Sequence, residues 1–308
     1  MAQDLAYEDS EIVFFLTTRT MNSKLWFINN PQLENRILAY LARFQEMYGV
    51  VIYAFVLMGN HYHLIARFPN RNKRAFFMAF NSMLAKLTKS HVRAFEGGKL
   101  WARPVRPQAL GNERDVKDRV FYAALNPVNA GLVERIEHYP YYNSFADAVS
   151  GTSRTFEIFL REDYSNRKRH NRALRPADCT VEHTLTFSRL PGFEHLSQSE
   201  YQQQLKDELE LLRKGIVAQR HSEGKGFLTR RRLLDIMPGT SPRSTKTSTR
   251  NSKRPLILTS SLELKQQFLD WYFAMKEAYR DASLRFRRGE LNVVFPTGTY
   301  RPPSFCAA

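Results

Sequence analysis

The feature of this sequence that most constrains the fold is a pair of strand-length segments joined by a two-residue turn near position 60. Val50 to Met58 is an uninterrupted apolar run of strand length. Gly59-Asn60 is a turn signal, and His61 to Phe68 is a second strand-like segment. The pattern therefore predicts an antiparallel hairpin, and the fold must contain a sheet that includes it.

Helices and further strands are predicted on both sides of this hairpin. The segment from Asn30 to Phe44 has helical periodicity, and Asn30 and Pro31 suit the cap and the first turn of a helix. The other predictions for the first half are a strand at 12–18, a helix at 73–95, a short extended segment at 100–110 and a helix at 113–125. This order predicts an α+β fold of ferredoxin-like arrangement, with an antiparallel sheet and helices on one face.

The second half of the chain is more basic and less regular. Gly151-Thr152-Ser153 resembles a linker, so we predict a first domain at 1–150 and a basic, largely helical extension at 151–308. Lys225 to Arg254 carries nine Lys and Arg against one Asp. This composition predicts a flexible arm near 225–255 that contacts phosphate groups, although a solvated linker has the same composition.

The charge balance favours a polyanionic partner. The chain has 46 Lys and Arg against 30 Asp and Glu, and its formal net charge is +16. Such a field concentrates nucleic acid near the surface, and an anionic membrane surface is the rival partner. The longest apolar run is far too short to cross a bilayer, and the acidic N-terminal segment lacks the features of a signal peptide. We therefore expect a cytoplasmic, nucleoid-associated protein without a membrane partner.

Two cysteines, Cys179 and Cys306, form neither a CxxC motif nor a disulfide framework. A metal site is instead suggested by His61 and His63, which are two apart on a predicted strand. Residues at this spacing point to the same face, so the two imidazoles converge as two ligands of one metal must. The spacing alone does not distinguish this arrangement from a pair of histidines on a solvent-exposed face.

A second candidate group lies on the predicted helix at 113–125. Tyr122 lies beside the apolar stripe of this helix, and Asn126 follows four residues later on the same face. The amide oxygen of Asn126 suits either a metal site or a phosphate contact. A single helical tyrosine is also explained by ordinary packing, so the helix alone does not establish a site.

Four motifs in the first half together resemble the single-tyrosine HUH transposases, and most closely the REP-associated tyrosine transposases. The family has a Met-Pro-Asn-His-apolar-His motif, a Trp-x-Arg strand, a Tyr-x-x-Leu-Asn-Pro-Val-x-Ala-Gly-Leu-Val motif and a Tyr-Pro-Trp-Ser-Ser-Tyr ending. The corresponding segments here are MGNHYHLI at 58–65, WARP at 101–104, YAALNPVNAGLV at 122–133 and YPYYNSF at 139–145. Gly59 and Asn129 depart from the family's usual Pro and Arg.

This resemblance implies a ferredoxin-like HUH domain with DNA transposition or recombination activity. It implies that His61, His63 and Asn126 bind Mg²⁺ or Mn²⁺, and that Tyr122 attacks a phosphate of single-stranded DNA. The product would be a 5′-phosphotyrosine link and a free 3′-hydroxyl, which a second 3′-hydroxyl can reverse. The implied substrate is single-stranded or hairpin DNA of the REP type. No small-molecule cofactor is implied, and both monomeric and homodimeric forms are compatible with the family.

Arginines near the tyrosine motif and in the basic arm are candidate DNA contacts, since single-stranded DNA sites combine basic grooves with aromatic platforms. These candidates are Arg103, Arg106, Arg114, Arg119, Arg230, Arg231 and Arg232. Each could equally be a solubilising surface charge. The main alternative function is a catalytically inactive, domesticated nucleic-acid-binding protein.

Two metal-dependent classes are disfavoured by the residues that follow His63. A cupin needs an acidic ligand four or five residues later, where this chain has Arg67 and Phe68. A metallo-hydrolase of the HxHxDH type needs Asp and His directly after Leu64, where this chain has Ile65-Ala66.

Overall fold

A five-stranded sheet organises the first half of the chain. The computed structural model describes residues 4–242 and 255–303. The strands of this sheet are β1 (Val13–Arg19), β2 (Val51–Met58), β3 (His61–Arg67), β4 (Gln108–Leu110) and a later strand at Ile257–Leu258. β2 and β3 form the predicted hairpin, in which Met58 pairs with His61 across the Gly59-Asn60 turn.

The first four strands have the ferredoxin-like order β2-β3-β1-β4. All three neighbouring pairs are antiparallel, so β1 and β2 run in the same direction with β3 between them. Helix α1 (Pro31–Tyr48) connects β1 to β2, and α2 (Lys73–His91) follows β3 and leads towards β4. The predicted α+β class with an antiparallel sheet is therefore confirmed.

Helix α1 forms where its local sequence predicts it. Asn30 Oδ1 accepts a hydrogen bond from the N–H of Leu33, and Pro31 occupies the first turn. The helix ends at Gly49, whose φ of 63° is in the left-handed region that glycine adopts without strain. The fully buried Ile37 is part of the core between α1, α2 and one face of the sheet.

The opposite face of the sheet is covered by α3 (Glu113–Ala124) and by a 25-residue helix of the second half, Gln198–Ser222. Val116 and Val120 of α3 belong to the same apolar cluster as Phe15 and Ile65 of the sheet. The predicted placement of helices on one face is thus correct for α1 and α2 but misses these helices. The sequence prediction did not account for the burial of both faces of the hairpin.

The second half adds elements to this framework rather than forming a separate core. Two short helices follow α3 in the first half, α4 (Asn126–Asn129) and α5 (Phe145–Ser150). The elements of the second half are β5 (Arg154–Phe159), α6 (Arg161–Lys168), β6 (Thr180–Leu185), α7 (Gln198–Ser222), α8 (Arg230–Leu234), β7 (Ile257–Leu258) and α9 (Leu262–Arg287). β7 pairs in parallel with β4, and Tyr201 and Leu205 of α7 are buried in the cluster that contains α3. The predicted boundary near residue 150 therefore does not separate two cores.

The predicted helical character of the second half is confirmed by α7 and α9. Among residues 4–242 and 255–303, no helix is long and apolar enough to span a bilayer.

The structure describes the predicted flexible arm from residue 225 to 242. The side-chain amide of Asn29 donates hydrogen bonds to the carbonyl groups of Leu233, Leu234 and Ile236, and Leu233 is buried. The backbone of Gly239 also donates to the carbonyl of Leu25. Specific contacts thus attach this part of the predicted arm to the first half of the chain, and its flexibility stays a prediction. Residues 243–254 of the predicted arm, like Cys306, lie outside the described residues.

The start of α2 contains a buried lysine whose charge costs the fold stability. Lys73 is 5% exposed, and its Nζ lies 3.4 Å from the ring centre of Phe14 and 4.5 Å from that of Tyr7. Burial lowers the pKa of this ammonium from its ordinary 10.5 to about 8, although Glu8 and Asp9 act in the opposite direction. The protonated lysine is therefore less stable in the folded chain than in the unfolded chain.

We expect the free energy of unfolding to rise between about pH 8 and about pH 10.5, relative to a Lys73→Met variant. Below pH 8 both states hold the proton on Lys73, whereas between the two pKa values only the unfolded chain holds it, so increasing pH favours folding. The difference between 10.5 and about 8 corresponds to about 3 kcal/mol. Urea unfolding of both proteins across this window measures the effect, and parallel pH curves would contradict it.

Candidate active site

Strand register defines the face of the sheet on which the candidate site is built. His61 lies directly opposite Arg19 of β1, and His63 lies opposite Thr17. Directly opposed residues of antiparallel strands, and residues two apart on one strand, have side chains on the same face. Phe15 therefore shares this face with both histidines, and it is the face covered by α3.

The two histidines converge as the strand spacing predicts. Nε2 of His61 lies 3.1 Å from Nε2 of His63, and the two rings are nearly perpendicular. His63 is 3% exposed and stacks on Phe15 with ring centres 5.4 Å apart, while His61 is half-buried at the strand end. One imidazole is thus fixed by packing, and the other remains open on the solvent side.

Asn60 orients His61. Asn60 Oδ1 lies 2.7 Å from Nδ1 of His61, and the Asn60 amide group donates to the carbonyl of Ser23. The amide orientation makes Nδ1 the protonated nitrogen, which leaves the lone pair of His61 Nε2 directed towards His63. This is the tautomer that a metal ligand requires, because its second nitrogen is held by a hydrogen-bond acceptor.

The spacing of the two imidazoles fits a single cation. Imidazole nitrogens that bind zinc lie about 2.0–2.1 Å from the metal, so two on one cation are at most about 4 Å apart. The observed 3.1 Å satisfies this limit. In the described part of the chain, no group of three or more His, Cys, Asp or Glu side chains is arranged to hold a metal. Further ligands would therefore be amide, hydroxyl, water or substrate oxygens.

Tyr122 reaches the same face from α3. Its ring centre lies 5.8 Å from that of His63 and 6.0 Å from that of Phe15, both in edge-to-face geometry. The side chain is 44% exposed, although Val120 and Phe121 beside it are buried. The helix thus places the phenol at the border between core and solvent, next to the histidine pair.

Asn126, the proposed third ligand, follows the C-terminal end of α3. The C-cap of α3 is Leu125, and Asn126 begins the short helix α4 in a half-buried position. Its assignment as a third metal ligand stays a prediction.

Arg119 is the predicted DNA-contacting arginine that lies in the site itself. Its guanidinium carbon is 4.9 Å from the ring centre of Tyr122 and 5.1 Å from that of Phe15. Burial lowers the pKa of Arg119, while Tyr122 and the nearby carboxylates of Asp118 and Asp115 act in the opposite direction. This arginine therefore presents a partly desolvated positive charge next to the phenol.

The other arginines predicted near the tyrosine helix are exposed. Arg103 follows a segment whose Ala102 N–H donates to the carbonyl of Arg19, which places it near the His61 end of β1. Arg106 pairs with Asp4 at 3.5 Å, and Arg114 lies in the first turn of α3.

The arginines predicted on the basic arm lie on α8, and all three are exposed: Arg230, Arg231 and Arg232.

A chain of contacts connects α8 to the hairpin. Asn29, which holds α8, accepts a hydrogen bond from the hydroxyl of Tyr141. The Tyr141 ring packs edge-on against Tyr139, whose hydroxyl donates to the carbonyl of Leu57 next to the turn. The basic helix is thus attached near the end of the sheet that carries His61.

Sequence analysis missed three residues of this site. Arg19 faces His61 across the sheet, Phe15 supports both His63 and Tyr122, and Asn60 was treated only as a turn and motif residue. Aligning the predicted β1 antiparallel to the hairpin would have identified Arg19 and Phe15. That alignment needs the strand register, which the pattern of apolar residues alone left open.

Comparisons with known proteins give a similarity to solved structures alone. No protein-family model matches the chain, and no curated protein matches it. One solved structure with a similar chain is described as a REP-associated tyrosine transposase bound to a REP hairpin. The sequence identity is 19% and the TM-score is 0.39, and the match covers 47% of this chain and 84% of that chain. A similarity at this level carries no argument about function, so the proposals below depend on the site and on the sequence motifs.

Proposed function

We propose that this protein is a metal-dependent enzyme of the single-tyrosine HUH type that cuts and rejoins single-stranded DNA. The observation that carries the proposal is the position of the Tyr122 phenol against His63, whose Nε2 lies 3.1 Å from that of His61. A nucleophile next to two converging metal ligands is the minimal arrangement for this chemistry. The motifs shared with REP-associated tyrosine transposases favour REP-like hairpin DNA as the substrate.

In the proposed reaction, the phenol oxygen of Tyr122 attacks phosphorus in a DNA strand and loses its proton. The bond between phosphorus and the 3′-oxygen breaks, and that oxygen takes up a proton to become a free 3′-hydroxyl. The 5′ end stays attached to the protein as a phosphotyrosine. Because one phosphodiester replaces another, a second 3′-hydroxyl can attack the phosphotyrosine and rejoin strands without ATP.

His61 and His63 would hold Mg²⁺ or Mn²⁺, with Asn126 as the proposed third protein ligand. The bound cation would withdraw negative charge from a phosphate oxygen as the attack proceeds. Two imidazoles favour manganese over magnesium, because magnesium prefers oxygen ligands. Asn60 contributes by orienting the His61 ring, because its Oδ1 lies 2.7 Å from His61 Nδ1.

The remaining surface suits a nucleic-acid backbone. The net charge of +16 attracts DNA to the protein, and exposed arginines surround the tyrosine helix and occupy α8. We assign these backbone contacts to Arg103, Arg106, Arg114, Arg230, Arg231 and Arg232. The proposed location is the cytoplasm, in association with the nucleoid. The protein would act as a monomer or a homodimer.

A covalent-capture experiment tests the proposal. The protein is incubated with labelled hairpin oligonucleotides drawn from repeats that flank its own gene, with Mn²⁺ or with a chelator. We expect a denaturation-resistant protein–DNA band that requires the metal, and mass spectrometry should place the nucleotide on the peptide that contains Tyr122. A modification on another residue would contradict the assignment of the nucleophile.

One observation favours a second candidate, a nucleic-acid-binding protein without catalytic activity. In the described part of the chain, no group of three or more His, Cys, Asp or Glu side chains could hold a metal, and a cation bound by two histidines alone would be held weakly. The same experiment separates the two functions. A protein that only binds DNA shifts the oligonucleotide in a native gel but leaves no covalent band with any divalent metal.

A further inference from the structure

Arg119 carries a positive charge in the candidate site and makes no close ion pair with the described residues, although the carboxylates of Asp118 and Asp115 are nearby. The Nε atom is inaccessible to solvent and has no hydrogen-bond acceptor. Within residues 4–242 and 255–303, the guanidinium also makes no ion pair within 4.0 Å. Its contacts are instead the faces of two aromatic rings, Phe15 and Tyr122.

Such an arrangement is incomplete without an anion. A buried donor that lacks an acceptor costs roughly 1–3 kcal/mol, and more when the group is charged. Cation–π contacts with two rings return about 0.5–2 kcal/mol each, so they offset part of this cost. An arginine that packs against two rings, and whose Nε–H lacks an acceptor, still has Nη donors that can bind an anion such as phosphate.

The position of Arg119 on α3 identifies which phosphate this would be. Arg119 precedes Tyr122 by three residues, so the two side chains are neighbours on one face of the helix. Phe15 lies beneath both of them and also supports His63. A phosphate at the Tyr122 hydroxyl would therefore lie between the guanidinium and the histidine pair.

We propose that Arg119 is a catalytic residue whose guanidinium donates hydrogen bonds to the phosphate attacked by Tyr122 and to the resulting phosphotyrosine. This role rests on the proposed function and differs from a general backbone contact. A backbone contact strengthens DNA binding, whereas a contact to the reacting phosphate strengthens as charge develops in the transition state. Phe15 acts as a positioning residue, because its ring packs against the guanidinium at 5.1 Å from its carbon.

Single-turnover cleavage at saturating oligonucleotide separates these roles. We expect Arg119→Gln to lower the rate of covalent adduct formation by about 100- to 1,000-fold, while the dissociation constant for DNA changes less than about threefold. Arg119→Lys should restore part of the rate, because it keeps the charge without the two-donor geometry. Arg280→Gln removes an exposed arginine on α9 and serves as the matched control, which should retain the wild-type rate.

Two results would overturn the inference in this assay: an unchanged rate for Arg119→Gln, or a loss that lies wholly in DNA affinity. If both Arg119 variants lose the folded circular-dichroism spectrum, a titration of the wild-type protein with inorganic phosphate replaces the rate measurement. The Nε–H proton NMR signal of Arg119, assigned by through-bond correlations in the isotope-labelled wild-type protein, should shift on adding inorganic phosphate and should remain fixed with an equal ionic strength of chloride.

The titration also separates this inference from the proposed function. If the wild-type protein forms no covalent adduct, the proposed function fails. The phosphate titration still decides whether Arg119 is an anion-binding residue beside Tyr122. A signal that phosphate does not move would refute the assignment of Arg119, even for a protein that cleaves DNA.

Discussion

Tyr122→Phe is expected to eliminate the covalent protein–DNA product, with a loss of at least about 1,000-fold. Phenylalanine keeps the ring that contacts His63, Phe15 and Arg119, so the packing of α3 and the affinity for DNA should be preserved. The missing oxygen is the proposed nucleophile. The measurement is the yield of the denaturation-resistant band with a labelled oligonucleotide, together with a native-gel binding curve.

The matched control for this change is Tyr164→Phe, which removes the hydroxyl of a partly exposed tyrosine on α6. It should give the wild-type yield. A covalent band of normal intensity in Tyr122→Phe would mean that another side chain is the nucleophile, and the proposed mechanism would be wrong. Loss of both the band and DNA binding would instead indicate a damaged fold, which circular dichroism and thermal unfolding would reveal.

His61→Ala is expected to weaken Mn²⁺ binding at least about 100-fold and to lower adduct formation by a similar or larger factor. Half-buried His61 contributes little packing, so the variant should stay folded. His63→Ala removes a ring stacked on Phe15 and therefore carries a stability cost that His61→Ala avoids. Isothermal titration with Mn²⁺ and the adduct assay at increasing metal concentration give the two quantities.

Partial recovery of adduct formation at high Mn²⁺ would show that the variant lacks affinity rather than catalytic geometry. The control is His195→Ala, which removes one exposed histidine far along the chain and leaves the pair intact. Unchanged metal affinity in His61→Ala would show that the two imidazoles are joined by a hydrogen bond and do not share a cation.

Local patterns were sufficient for the hairpin, for α1 and for the convergence of the two histidines on one face. The turn at Gly59-Asn60, the Asn30 cap and the two-residue strand period each act over a few residues, so their physics is visible in the sequence. The same holds for the position of Tyr122 at the edge of the apolar stripe of α3.

Contacts between residues that are distant in the sequence were not predicted, and this also has a physical cause. β7 has two residues, and its strand character exists only because Ile257 pairs with Ala109. The segment at 225–242 has the composition of a disordered arm, yet Asn29 satisfies three of its carbonyl groups. Such contacts depend on which distant residues the fold brings near, and no local pattern encodes that choice.

The parallel pairing of β7 with β4 bears on how a smaller active fragment can be designed. Cutting the chain at residue 150 would leave the backbone groups of β4 at an open sheet edge, where other chains can pair with them. The same cut would strip α7 from the apolar side of α3 and expose the surface that holds the tyrosine helix in place. Retaining α7 and β7, either in sequence or as a second polypeptide, is therefore a condition for a soluble fragment in which the phenol keeps its position.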